Sequence, residues 1–193
     1  MKQEIEIEFK NLLTKDEFEQ LKKHFSIKNE DFKHQVNYYF DTKEYSLKKH
    51  GAALRIREKN KQFVLTLKQP AAEGLLESHE SLTEAAAQSM IANDEITPGS
   101  MTDLLQKDFS ISPSELTCFG SLATSRAEIK YMGGLLVLDH STYLNKEDFE
   151  IEYEVTDFQE GKMTFENLLK QLNISLRQTD NKIKRFYNEK FKK

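Results

Sequence analysis

The feature that most constrains this 193-residue chain is a strict alternation close to its start, Glu4-Ile5-Glu6-Ile7-Glu8-Phe9-Lys10. A period of two is the period of a strand, and it sends Ile5, Ile7 and Phe9 to one face and Glu4, Glu6, Glu8 and Lys10 to the other. The pattern returns late in the chain, where Ile151, Tyr153 and Val155 oppose Glu150, Glu152 and Glu154. Two strands thus carry carboxylate ladders. Carboxylates at i and i+2 sit roughly 7 Å apart at the backbone, near enough for their heads to converge and repel. Taken singly, such a strand shows a solvated outer face and nothing more. Taken together, the ladders suit a hard divalent cation, because Mg²⁺ and Mn²⁺ prefer oxygen ligands.

Other strand-like segments carry the opposite sign. Ala53-Leu54-Arg55-Ile56-Arg57 alternates, and after the charged turn at 58–61 comes Phe63–Lys68, the second arm of a hairpin. Val36–Phe40, Leu75–Leu82, Ala123–Tyr131, with Arg126 beside Glu128, and Leu135–Asp139 read as further strands. Helical spacing follows the capping box Thr14-x-x-Glu17, where Phe18, Leu21 and Phe25 share a face. It recurs at 85–92, 100–109, around Phe165, Leu168, Leu169 and Leu172, and from about Thr179 onward. The expectation is about eight strands and about five helices in a single domain, 1–193, because three prolines and seven glycines leave no linker.

Composition narrows the function classes. The charge is −4, from 28 basic and 32 acidic residues, a poor balance for nucleic acid, which is usually met by a basic stripe. No stretch approaches the roughly 20 apolar residues of a membrane helix, and the acidic start lacks a signal peptide's apolar run, so cytoplasmic residence is the default. With 13 Phe and 7 Tyr the chain has material for a core, and Cys118 has no partner for a disulfide. The five histidines show no zinc-type spacing, no Gly-rich phosphate loop is present, and Ser125, Ser141 and Cys118 lack the context of a nucleophile. Sign-segregated polar faces on several antiparallel strands suggest a closed barrel with a charged interior, its apolar side turned outward under the helices. Such an interior matches a highly charged anion together with its metal ions; arginine's planar fork suits phosphate, and lysine adds a point charge.

Glu6-x-Glu8-x-Lys10 resembles the ExExK signature of the CYTH domain, the triphosphate tunnel metalloenzymes, a family that includes class IV adenylate cyclases, thiamine triphosphatases and inorganic triphosphatases. Arg55-x-Arg57, Lys68, Arg126, Asp139, Glu150-x-Glu152 and Lys182-x-x-Arg185 fall in the family's order, so the resemblance covers essentially the whole chain. It implies an α+β fold, a closed eight-stranded antiparallel β-barrel with a charged interior and helices packed outside, whose tunnel binds a triphosphate, with Mg²⁺ or Mn²⁺ held by Glu6, Glu8, Asp139, Glu150 and Glu152. The phosphates would meet Lys10, Arg55, Arg57, Lys68, Arg126, Lys182 and Arg185, and the catalytic role falls to Glu6, Glu8 and Lys10. The chain departs from the family where many members carry Arg-x-Glu and this one has Glu77-Ser78-His79-Glu80. Glu77 and His79 share a face there, and Glu154 adds a third carboxylate whose role the pattern leaves open. The resulting expectation is hydrolysis of a small-molecule triphosphate, inorganic, thiamine-linked or nucleoside-linked, without nucleic acid or membrane. Cyclisation of ATP with release of pyrophosphate, and polyphosphate binding without turnover, stand beside it as alternatives.

Overall fold

The computed structural model describes residues 1–192. Eight strands, β1 (Lys2–Leu13), β2 (Lys33–Thr42), β3 (Ala53–Lys59), β4 (Gln62–Pro70), β5 (Leu75–Leu82), β6 (Leu116–Tyr131), β7 (Gly134–Tyr143) and β8 (Lys146–Val155), close into a barrel. Their order is β1-β5-β4-β3-β2-β6-β7-β8. Closure leaves no unpaired edge. Six helices accompany the strands: α1 (Lys15–His24), α2 (Ser46–Lys49), α3 (Glu84–Ala92), α4 (Ser100–Phe109), α5 (Phe158–Gln171) and α6 (Lys182–Lys190). No helix among the described residues is long and apolar enough to cross a membrane.

The expected fold class is present, with local differences that have physical causes. α2 is the helix missing from the expectation. A single turn has no period to read, and it is held by Asp41, whose carboxylate accepts from the backbone N–H of Leu47 at 2.9 Å and Lys48 at 3.1 Å. β6 begins at Leu116 rather than Ala123, because the Ser, Thr and Gly around Gly120 interrupt the alternation without interrupting the strand. α6 begins at Lys182, with Asn181 as its cap, rather than near Thr179.

Residue contacts cluster into two compact units, each with its own apolar core. One comprises Met1–Ile5 and Gln35–Leu122. In it Leu54, Ile56, Leu65 and Leu67 of β3 and β4 lie in one core with Met90 of α3 and with Met101 and Leu105 of α4. The other comprises Glu6–His34 and the chain from Ala123 onward. In it Leu136, Leu138, Ile151 and Tyr153 of β7 and β8 share a core with Phe18 and Leu21 of α1 and with Phe165, Leu168 and Leu169 of α5. Each such side chain contributes about 1.5–3 kcal/mol on full burial, so a one-residue slip of a strand would forfeit several of these at once. This is what commits the alternate, polar residues to the face turned away from the helices.

Turns fix the register that the cores select. Asn60 and Lys61 both take positive φ, +52° and +60°, and join β3 to β4 so that Lys59 faces Gln62. Met132 and Gly133 do the same between β6 and β7, pairing Tyr131 with Gly134. Both are two-residue connections whose handedness matches strand twist. A third glycine governs packing instead: a Cβ on Gly161 of α5 would lie 2.6 Å from Val155 Cγ2 and 3.0 Å from Phe9 Cε2, so only glycine lets this helix approach β8 and β1.

Candidate functional site

In the unit built on β6, β7 and β8, register brings the charged residues into one group. Asp139 pairs with Arg126 across β6–β7 and with Glu150 across β7–β8, while Lys10 of β1 pairs with Glu152 of β8. Asp139, Glu150 and Glu152 are buried, at 0%, 1% and 5% exposure, and offer carboxylate oxygens within 4.8 Å of one another. Arg126 forks onto Asp139 with bonds of 2.8 and 2.6 Å, and its second amino nitrogen also donates to Glu152 at 2.6 Å. Lys182, the first residue of α6, places its ammonium among all three carboxylates, 2.9 Å from Asp139, 2.5 Å from Glu150, and bonded to Glu152. Arg185, one turn on, donates to Glu150 and to Asp148, each at 2.9 Å.

Burial disfavours every one of these charges, and the partners outweigh it. Glu152 is held well below the usual carboxylate range by Lys182, Arg126 and Lys10 against the desolvation that would raise it. Asp139 is lowered against the same desolvation, chiefly by Arg126 and Lys182. On the cation side burial works the other way, yet Asp139, Glu150 and Glu152 hold the Lys182 ammonium above the ordinary lysine value. Lys10, ion-paired with Glu8, is raised in the same manner. Glu154 is the exception. Burial pushes its carboxyl up to about 7, and Glu6, Glu152 and Glu8 add to that shift while Arg126, 3.8 Å away, opposes it.

Of the five carboxylates expected to hold metal, Asp139, Glu150 and Glu152 form one group, and Glu8 lies on the neighbouring strand opposite Glu154. Glu6 acts on Glu154 as well. Three oxygen donors at this spacing suit a hard divalent cation. What the sequence did not show is how α6 reaches them. Asn11 of β1 accepts from the Arg177 backbone N–H at 2.6 Å and donates to the Ser175 carbonyl at 3.0 Å; Thr179 accepts from Leu12 N–H at 2.9 Å; and Arg177 pairs with Glu17 at 2.8 Å. These bonds tie the irregular segment before α6 to β1, and Asn181 then caps the helix by accepting from Lys184 N–H. The sequence cue to this arrangement is a polar residue on the apolar face of the alternation: Asn11 follows Ile5, Ile7 and Phe9 near the end of β1 and is fully buried.

The other unit holds the remaining expected cations. Arg55 and Arg57 of β3 face Thr66 and Val64 of β4, and Lys68 faces Glu77 of β5. Arg57 donates through Nε to Asn37 at 3.0 Å, Lys68 is ion-paired with Glu77, and the Nε of Arg55 has no hydrogen-bond partner among the described residues. Both arginines line a cavity of about 760 Å³ together with Thr66, His79, Glu80 and Glu4. His79 shares a hydrogen bond of 3.0 Å between Nδ1 and Thr66, and its Nε2 lies 3.2 Å from Glu4 and 3.3 Å from Glu77 without hydrogen-bond geometry to either. Glu77 and His79 therefore stand where the resemblance leads one to expect an Arg-x-Glu pair, and Lys68 already has a buried counter-ion.

The chain is matched over residues 4–187 by a family model described as CYTH domain. A curated relative from Bacillus subtilis strain 168, named "Putative triphosphatase YjbK", is 52% identical over 192 residues, covering all of this chain and 99% of the relative. A crystal structure from Bacillus halodurans, described as "a putative adenylate cyclase", is 46% identical with a TM-score of 0.92, over 97% of this chain and 100% of the other. HpAC1 of Hippeastrum, for which a dominant triphosphatase activity is described, is 26% identical with a TM-score of 0.81, over 96% of each chain.

Proposed function

Because this chain belongs to the CYTH domain family, we propose that it is a divalent-metal-dependent triphosphatase, a single domain over 1–193 that hydrolyses the terminal anhydride of a small-molecule triphosphate in the cytoplasm. The observation that carries this reading is the buried Asp139, Glu150 and Glu152 group set among Lys10, Arg126, Lys182 and Arg185. A hydrolase of phosphoric anhydrides needs in-line positioning and charge neutralisation more than covalent chemistry, and this chain is rich in groups for both. Mg²⁺ or Mn²⁺, held by Asp139, Glu150 and Glu152 with Glu6 and Glu8, would supply neutralisation of phosphate oxygens.

The chain's own residues do the rest. Arg55 and Arg57, with Lys68, bind phosphate oxygens; the planar guanidinium of Arg55, with its Nε unmatched, is suited to a bidentate contact. Lys10, Arg126, Lys182 and Arg185 balance charge on the bridging and terminal oxygens. Glu6 and Glu8 orient the attacking water toward the terminal phosphorus and accept its proton as the anhydride bond breaks and diphosphate leaves. The name of the Bacillus halodurans relative favours a second reading, in which the ribose 3′-hydroxyl of ATP attacks the α-phosphorus and pyrophosphate leaves.

One assay separates the readings. Purified protein is given Mg²⁺ or Mn²⁺ with tripolyphosphate, thiamine triphosphate or ATP, and orthophosphate, pyrophosphate and cyclic AMP are followed. Orthophosphate release is expected. Cyclic AMP with pyrophosphate would replace the hydrolase by the cyclase, and tight binding without turnover would leave a polyphosphate-binding module.

A further inference from the structure

Each of the three buried carboxylates is held by two kinds of cation. Arg126 orients Asp139 and Glu152, and Arg185 orients Glu150, through planar forks whose geometry is fixed. Lys182 touches all three with one ammonium. The arginines therefore shape the group, and the lysine fills it: its Nζ occupies the point where the three oxygens converge, and a divalent cation needs those same oxygens.

The position of Lys182 in its helix points the same way. It is the first residue of α6, where the helix dipole presents partial positive charge, and the first turn contains no acidic residue while it carries Lys182, Lys184 and Arg185. An ammonium at a helix N-terminus is disfavoured, and an anion there is favoured. Only the carboxylates make this placement stable, so Lys182 is a cation with one good partner and a natural alternative in phosphate. Its four-carbon stem can exchange partners while the Asn181 cap and the 2.5 Å bond from Arg185 to the Asp180 carbonyl keep the helix start in place.

We infer that Lys182 is a built-in competitor of the divalent cation: metal enters the Asp139, Glu150 and Glu152 group as the ammonium leaves it, and bound triphosphate takes the ammonium over. The second half of this inference rests on the triphosphatase reading. Its consequence is that metal binds the free protein weakly and the triphosphate complex more tightly, a coupling that must be reciprocal.

The test uses the whole protein and Mn²⁺ alone, followed by the loss of the free-ion electron paramagnetic resonance signal. Lys182→Met, checked for folding by circular dichroism, is expected to bind Mn²⁺ at least tenfold more tightly than wild type without triphosphate. Equal or weaker binding by the folded variant overturns the inference. A measurement on wild type covers the case of a variant that does not fold. Acetic anhydride labelling of Lys182, read by mass spectrometry, should rise several-fold at saturating Mn²⁺, and unchanged labelling is equally fatal. Orthophosphate release from tripolyphosphate is scored separately: competition without turnover would sustain the competitor and sink only the triphosphatase.

Discussion

The polar face of β3, β4 and β5 and that of β7 and β8 are built from the same residue types to different ends. On β7 and β8 every buried carboxylate is matched by a cation, with Arg126, Lys182 and Arg185 distributed over Asp139, Glu150 and Glu152. On β3, Arg55 is under-matched, since its Nε has no hydrogen-bond partner among the described residues. A matched buried network resists the loss of any member, because the survivor is left charged in a poor solvent. An under-matched cation is cheap to remove from the free protein and costly to remove from a complex with an anion. The first face should therefore reveal itself through stability and metal, the second through affinity.

The sharpest way to break this contrast is Asp139→Asn. It strips Arg126 of its fork and Lys182 of one partner, so a stability loss of about 3–5 kcal/mol in urea unfolding is expected, with a fall in metal-dependent turnover of about 10³-fold. A variant of wild-type stability would mean the network is not matched as described. The next largest effect concerns Glu154, the one carboxyl there that burial leaves short of cations, pushed up to about 7. Between pH about 4.5 and 7 the unfolded chain has lost a proton that the folded chain retains, so this group makes stability fall as pH rises through that window. Glu154→Gln cannot ionise. Its stability relative to wild type should climb by about 2 kcal/mol from pH 5 to pH 8 in the presence of a chelator, after allowance for partial solvent screening. A difference independent of pH would remove Glu154 from the exception it makes.

Much of this contrast was legible in the alternation itself. Glu150 and Glu152 share a face, as do Glu6, Glu8 and Lys10, because period two admits no other arrangement, and the same rule placed Arg55 with Arg57. The segregation of charge sign by strand face pointed to a closed barrel, and the strands close as expected. What periodicity could not supply was partnership across strands. That Asp139 meets Glu150 while Glu8 lies opposite Glu154 depends on register; the tight turn at Leu144, which takes positive φ and pairs Tyr143 with Lys146, sets the first, and the second joins strands distant in the chain. The placement of Lys182 was harder still. An i,i+3 pair with Arg185 describes a helix face, but the bonds of Asn11, Arg177 and Thr179 that deliver this helix to the carboxylates join residues more than 160 positions apart and leave no periodic trace.

On the affinity side, Arg55→Ala should raise KM for tripolyphosphate about tenfold, the order expected for one charge-assisted phosphate contact. Its stability should stay within about 0.5 kcal/mol of wild type. A parallel loss of stability would show that Arg55 is matched after all. The smallest effect is a gain. Lys68 is paired with the buried Glu77, which competes with any phosphate for its ammonium. Glu77→Gln keeps the shape and a hydrogen-bonding head while releasing the charge, so KM for tripolyphosphate should fall about threefold, near 0.7 kcal/mol. Steady-state kinetics at fixed Mg²⁺ reads it directly. If KM rises instead, Glu77 is orienting Lys68 toward phosphate rather than restraining it, and the face of β3, β4 and β5 is then held in shape by a carboxylate in the way that the face of β7 and β8 is held by arginines.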